Sequence, residues 1–367
     1  MTIYLDNNAT TFLDPRVLAS IEALLRQKVG NPSSIHSYGQ IGRAILAKAT
    51  KDVANFFSVQ PSEIVFTSGA TEALNMVIRS LPAKSHVITS SLEHIAVLEA
   101  LKMIHCEIDY LNPCPGYGSI TSLQVQEAMR SNTSAIILTA ANNETGIITD
   151  IELIADLSQR YGVALIIDGV ARLGKGNWVL PKGVSAACFS GHKIHGPSGV
   201  GVAVIRKSYT CHPIIVGGPQ QYRMRGGTEN LAGILGFAEA LKFLPTSGKK
   251  MRDLRDYFEN GLTQNLSGIF IHGINESRLC NTSNIAFEGV DGETLLMQLD
   301  LLGISASHGS ACSSGALETS RVLLNMGIEP SLARSSIRFS ISRFTTLSEI
   351  DKALSIVTKC IRNAKKF

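Results

Sequence analysis

A chain of 367 residues, 44% hydrophobic and 17% charged, has the length for more than one core and the make-up of an ordinary globular protein. Its net charge of +4, with basic runs only at Lys249-Lys250-Met251-Arg252 and Lys365-Lys366, argues against a nucleic-acid-binding surface. Seven cysteines, odd in number and without a Cys-x-x-Cys pair, argue against a disulfide framework or a zinc site and fit a reducing, cytoplasmic setting. The chain enters a strand-like run at Ile3-Tyr4-Leu5 without a charged or apolar leader, so no secretory signal is expected. No apolar run reaches membrane-spanning length.

Strand and helix signals alternate from Ile64 to Ile205, the pattern of βαβ units building a mostly parallel sheet. Residues 64–66 lead into a helix from about Thr71, and 86–89 into a helix over 94–103. A helix at 123–129 precedes a strand at 135–138, and a helix at 151–161 precedes a strand at 164–167. Residues 184–189 read as a buried strand, followed by a glycine-rich turn and a strand over 200–205. After about Pro245 the texture changes to an amphipathic helix over 251–266 and short strands at 269–271 and 283–287. A helix over 293–302, a strand at 336–341 and a helix over 347–364 follow, an α+β unit packed on the first.

The turn after 184–189 holds Ser190-Gly191-His192-Lys193-Ile194-His195, placing Lys193 at a strand end between two imidazoles. A partly desolvated lysine among other bases has the lowered pKa that an amine nucleophile needs. A surface lysine beside a β-turn is the plainer alternative, and the rest of the chain decides against it. Ser68-Gly69-Ala70-Thr71-Glu72, between a strand and a helix, offers backbone N–H groups and hydroxyls to a phosphate, although a simple helix cap explains the same residues. Asp168 ends an apolar strand and faces the crevice where α/β proteins bind ligands, suited to pairing with a protonated ring nitrogen or to capping a turn. Asn143 stands past another strand end, suited to a ring hydroxyl or to a turn. His94 opens a helix, where its flat ring either stacks on a cofactor or lies in solvent. Together these form the inventory of a pyridoxal phosphate site.

The ordered motifs extend further. They include Tyr4-Leu5-Asp6-Asn7-Asn8-Ala9-Thr10-Thr11, Gly30-Asn31-Pro32-Ser33-Ser34-Ile35-His36, Glu93-His94 and Asn142-Asn143-Glu144-Thr145-Gly146. Arg225-Gly226-Gly227-Thr228-Glu229-Asn230, Ser310-Ala311-Cys312-Ser313-Ser314-Gly315 and Ser335-Ser336-Ile337-Arg338-Phe339-Ser340 complete the set. Over essentially its whole length the chain resembles cysteine desulfurases of the NifS/IscS type, class V aminotransferase-like enzymes of pyridoxal phosphate fold-type I.

That resemblance implies an α/β protein with a large domain, 15–250, built on a mostly parallel seven-stranded sheet. A smaller α+β domain, 1–14 with 251–367, would carry the catalytic cysteine. Lys193 would bond the cofactor covalently, His94 stack on its ring and Asp168 pair with its pyridine nitrogen. Ala70, Thr71, Ser190 and His192 would line its phosphate, with Asn143 near the ring hydroxyl. Thr228 would reach the phosphate of the neighbouring subunit in a homodimer. Arg338, helped by the loop of Asn31, would bind the carboxylate of L-cysteine.

Cys312 lies in a small, polar, glycine-bounded segment, the composition of a loop rather than of a core, where an exposed thiol of lowered pKa is a nucleophile; a small buried hydrophobe is the plainer alternative. Cys106, Cys188 and Cys360 read as small buried hydrophobes. The resemblance gives Cys312 the substrate sulfur as a persulfide, for transfer to an acceptor such as an iron–sulfur scaffold or a thiolation enzyme. No resident metal is implied, Cys312 being at most a transient iron–sulfur ligand. A class V aminotransferase or a selenocysteine lyase is the alternative activity, and a non-catalytic scaffold on the same fold the alternative role. The sequence departs from the family where a glutamine usually follows the aspartate three residues on: here Ala171 stands, followed by Arg172. It departs again at Gly217-Gly218-Pro219-Gln220-Gln221-Tyr222-Arg223, where proline replaces a third glycine.

Overall fold

The computed structural model describes residues 2–114, 117–309 and 319–365. Its centre is a seven-stranded sheet in the order Ile64–Thr67, Gly201–Ile205, Ala186–Ser190, Ala164–Asp168, Thr133–Thr139, His86–Ser90, Glu107–Leu111. Only Gly201–Ile205 runs against its neighbours, pairing antiparallel with the strands on either side; every other pairing within the sheet is parallel.

Side chains alternate cleanly across this sheet, as the pleat requires. Ile136, Leu138, Leu165, Ile167, Phe189 and Val202 enter one core with Phe57, Phe66 and Phe237. Ala135, Ile137, Ile166, Ala186, Cys188 and Ala203 enter the opposite core with Leu74, Val77, Val97 and Leu101 of the helices Ala70–Ile78 and Ile95–Lys102. With both faces covered, the strands read as near-continuous apolar runs.

A separate core forms from Ile3 and Leu5 with residues between Met251 and Ile361. It packs the helices Lys249–Asn265, Gly292–Leu301 and Leu347–Ala364 against an antiparallel sheet of Ile269–Ile271, Thr282–Phe287 and Ser336–Ser340. The N-terminal strand Ile3–Tyr4 joins it by pairing parallel with Ile304–Ser305, and Asp6 bridges to Ser340.

The predicted strands and helices from 64 onward occur within a few residues of their expected limits. The sequence reading passed over the helices Pro15–Leu25, Ser37–Phe57 and Leu231–Lys242 and the strand Glu107–Leu111. Ser37–Phe57 buries Gly39, Gly42, Ala49 and Ala54 along much of its inner face, so no stripe of large apolar residues announces it. Among the described residues no helix is long and apolar enough to cross a membrane.

Candidate active site

Because its strands are parallel apart from one, the sheet brings the carboxyl ends of Ile64–Thr67, His86–Ser90, Thr133–Thr139, Ala164–Asp168 and Ala186–Ser190 to the same edge. A cavity of about 670 Å³ opens there, the place where doubly wound sheets bind ligands. Ala70, Thr71, His94, Asn143, Asp168, Ser190, His192, Lys193 and Arg338 all line it, drawn from both halves of the chain.

At one end of the cavity Ser68, Gly69, Ala70 and Thr71 form a cup at the N-terminus of the nine-residue helix Ala70–Ile78. The first N–H groups of a helix have no internal partners and attract an anion. The cup is braced from behind. Glu72 accepts from the Ser68 N–H at 2.8 Å and from Arg225 Nε at 3.1 Å. Burial would raise the Glu72 carboxyl, but these two donors keep it below its usual value. The strand Gly201–Ile205 passes so close that a Cβ on Gly201 would lie 2.6 Å from the Gly69 Cα, so only glycine fits.

His94 caps its helix, with Nδ1 accepting from the Ala96 N–H at 3.1 Å. An accepting Nδ1 carries no proton, which assigns the ring hydrogen to Nε2. Asp168 is buried, and Oδ1 accepts from the Val170 N–H at 3.0 Å. Burial pushes its carboxyl up, while the nearby His94 ring, the Val170 N–H and the Lys193 ammonium pull it back. His192 is held down at about 4, by burial first and then by Lys193, so it is neutral at pH 7 and pairs through Nδ1 with Thr10 Oγ1 at 3.1 Å.

Lys193 sits in a short 3-10 turn directly after the strand Ala186–Ser190. Its Nζ donates to the Asn8 carbonyl at 2.5 Å and to the Ala9 carbonyl at 2.8 Å. Arg338, 1% exposed, donates to Asn143 O at 3.1 Å and to Asp6 Oδ1 at 2.7 Å.

Two of the expected site residues stand elsewhere. Asn31 and Thr228 are exposed and do not line this cavity. Arg225, Gly227, Glu229 and Asn230, around Thr228, line a smaller cavity of about 180 Å³ that shares Ser68 and Gly199 with the larger one. Cys312 lies outside the described residues.

Arg172 does not serve the cavity in place of the missing glutamine, because its guanidinium donates to the carbonyls of Lys175 and Asn177 and lies 5.7 Å from the centre of the Trp178 ring. Ala171 does line the cavity, and so does the buried Lys175, whose Nζ donates to Lys193 O at 3.3 Å. Burial pulls the Lys175 ammonium down to about 8; the nearby Cys280 opposes this, and Arg343 and Lys193 add to it. Lys175, Asn7, Asn8 and Thr10 are cavity residues to which the sequence reading gave no role. Small amides and hydroxyls carry no chemical signature of their own, and nothing in the sequence marks Lys175 as buried.

The sequence profile described as "Aminotransferase class-V" matches residues 3–353. A protein named cysteine desulfurase 2 from Trichormus variabilis is 38% identical over 375 residues, covering 99% of this chain and 94% of the relative. The chain belongs to the cysteine desulfurases of the class V aminotransferase family. Among solved structures, a NifS-like protein is similar at a TM-score of 0.91 and 33% identity, covering 99% of this chain and all of that one. A structure titled as SspA in complex with cysteine is similar at a TM-score of 0.83 and 28% identity, covering 94% of this chain. The cysteine desulfurase fold therefore extends from the seven-stranded sheet to the C-terminal helix of this chain.

Proposed function

We propose that this enzyme is a pyridoxal 5'-phosphate-dependent cysteine desulfurase that converts L-cysteine to L-alanine and leaves the sulfur as a persulfide on Cys312. The observation that carries the reading is the meeting of Lys193, Asp168, His94 and Arg338 around one cavity beside a helix N-terminus. The residues fit the cofactor. The cup of Ser68 to Thr71, with Ser190 and His192, would hold the phosphate, His94 would lie on the ring, and Asn143 near its hydroxyl. The buried Asp168 carboxylate would hold the ring nitrogen, and Lys193 would bond to the carbonyl carbon. When bound, pyridoxal phosphate supplies a carbonyl that bonds amines and an electron sink for the pair released at the substrate Cα.

The protein's own groups do the rest. Arg338 binds the substrate carboxylate and fixes its orientation. The Lys193 amine, displaced by the substrate, takes the Cα proton. The Cys312 thiolate attacks the substrate sulfur, so an S–S bond forms as the Cβ–S bond breaks. The carbon side takes up a proton and leaves as alanine. The same reading divides the enzyme into domains 15–250 and 1–14 with 251–367, places it in the cytoplasm, and makes it a homodimer in which Thr228 reaches the partner's cofactor phosphate. An iron–sulfur scaffold or a thiolation enzyme receives the sulfur.

The purified protein is expected to be yellow, to form alanine from cysteine, and to lose both properties in Lys193→Ala without loss of fold by circular dichroism. Normal turnover by that variant would overturn the reading. Exchange of amino groups without sulfur release would favour an aminotransferase, and a preference for selenocysteine over cysteine a lyase.

A further inference from the structure

The two carbonyls that receive the Lys193 amine belong to a segment held in place far more tightly than a chain end needs. Asn8 is 7% exposed, and its side-chain amide has every polar atom engaged. Nδ2 donates to Asn143 O at 3.0 Å and to Thr282 Oγ1 at 2.9 Å, while Oδ1 accepts from Asn281 Nδ2 at 3.0 Å. The Asn8 N–H donates to Ser340 Oγ at 2.9 Å. Asn143 O is shared, since it also accepts from Arg338 Nη1 at 3.1 Å. A continuous hydrogen-bonded path therefore runs from the Lys193 amine through Asn8 and Asn143 to the guanidinium of Arg338.

We propose that Asn8 is a positioning residue: it fixes the Asn8 and Ala9 carbonyls as a holding place for the Lys193 amine whenever that amine is not bonded to a ligand. The proposal rests on the reading of Lys193 as the reactive amine. Two carbonyl oxygens only accept, so they suit an ammonium, which offers three N–H donors, better than a free amine. An amine that has taken a proton from the substrate becomes that ammonium, and the holding place keeps it within reach to return the proton. The tether through Asn143 also keeps the amine and the carboxylate-binding arginine in fixed register.

The test uses the protein without cofactor or substrate, so it stands apart from the activity assay. Acetylation by dilute acetic anhydride is followed lysine by lysine by mass spectrometry between pH 6 and 10, with the exposed Lys51 as internal reference. In Asn8→Ala, Lys193 is expected to be labelled about fivefold faster at pH 8 relative to Lys51, the equivalent of one lost hydrogen bond of about 1 kcal/mol. Its labelling curve should also move to lower pH. Thr282→Val, which removes one of the two acceptors of the Asn8 amide, should move Lys193 the same way by a smaller factor and carries the test where Asn8→Ala does not fold. Lys193 labelling unchanged in a folded variant, with only the melting temperature lowered, would overturn the proposal and leave Asn8 a purely structural residue. Changed labelling in an enzyme that does not act on cysteine would sustain the holding place and overturn the desulfurase reading instead.

Discussion

The guanidinium of Arg338 donates through Nη2 to Oδ1 of Asp6 at 2.7 Å, joining the last strand of the small sheet to the first turn of the chain. Asp6 Oδ1 also accepts from Ser307 Oγ at 2.8 Å. Arg338 Nη1 goes to Asn143 O, and Nε is buried without a hydrogen-bond partner. A buried guanidinium held on two sides with a donor unspent is prepared for one more acceptor, such as a substrate carboxylate.

The first prediction follows from that geometry. Lysine at position 338 offers one compact ammonium in place of a planar fork, so it cannot serve Asp6, Asn143 and a carboxylate together. Arg338→Lys is expected to raise the KM for cysteine at least tenfold, on the order of 1.4 kcal/mol of binding, while cofactor affinity stays within twofold. Steady-state kinetics beside a cofactor titration checks the split; an equal loss of both would mean that Arg338 organises the cavity rather than the substrate. Asp6→Ala leaves the buried charge without its carboxylate, and urea unfolding should show a loss of about 3 kcal/mol.

The second prediction concerns the shortened wall at Ala171. Arg172 is committed to main-chain carbonyls and so leaves the glutamine unreplaced. Ala171→Gln adds a polar group to the cavity and is expected to tighten pyridoxal phosphate binding about fivefold, near the 1 kcal/mol of one net hydrogen bond. Fluorescence titration of the cofactor-free protein measures it. Unchanged affinity would mean that the neighbouring Lys175 or a water already supplies the contact.

The third prediction comes from Glu93. It is 1% exposed, Oε1 accepts from Ser90 Oγ at 2.6 Å, and Oε2 has no hydrogen-bond partner. Burial, reinforced by Asp168, pushes its carboxyl up to about 8 from an ordinary 4.5, against the pull of Ser90, the Thr139 N–H and Arg321. A group with a raised folded-state pKa stabilises the fold fully below its unfolded value and loses that contribution as pH rises through the folded one. Glu93 therefore weakens the protein progressively between about pH 4.5 and 8. Glu93→Gln keeps an acceptor for Ser90 and cannot ionise, so its melting temperature should fall less than that of the wild type between pH 6 and 9. Parallel curves for the two proteins would show that Glu93 is not protonated in the fold.

How much of this was legible in the sequence depends on the kind of residue. The apolar runs before Ser68, Thr139, Asp168 and Ser190 announced strands, and the polar residues ending them announced an edge, because a strand buried on both faces shows its end as a change of polarity. The partners of those residues were not legible. Asp6 and Arg338 are 332 positions apart, and the pairing of Ile3–Tyr4 with Ile304–Ser305 and the bridge from Asp6 to Ser340 help to bring them together. Lys175 looks like any lysine near a glycine-rich turn until the fold buries it. Asn8 acts through a main-chain carbonyl, which every residue has, so its side chain hinted at nothing.

The last prediction separates cofactor chemistry from sulfur transfer. The polar groups proposed for the described cavity, Lys193, Asp168, His94 and Arg338 among them, serve the cofactor or the amino and carboxylate groups of a substrate. Among the described residues, none of the cysteines lines that cavity. Cys188 is buried in the sheet core, with its thiol pushed well above the ordinary value by burial and then by Asp168, so it is protonated and poorly nucleophilic. Burial likewise raises Cys211, Cys280 and Cys360. The proposed nucleophile toward the substrate sulfur is Cys312, in its polar small-residue segment. Cys312→Ser is expected to bind pyridoxal phosphate with wild-type affinity and to show the wild-type spectral change when cysteine is added. A hydroxyl is a far weaker nucleophile toward sulfur than a thiolate, so sulfide release in the presence of dithiothreitol should fall at least a hundredfold, about 2.7 kcal/mol of barrier. Wild-type enzyme incubated with cysteine and no reductant should carry an added sulfur on the peptide containing Cys312, and little on those containing Cys106 or Cys188. Sulfide release by Cys312→Ser at the wild-type rate would remove the persulfide from the mechanism and put the aminotransferase or lyase activity in its place.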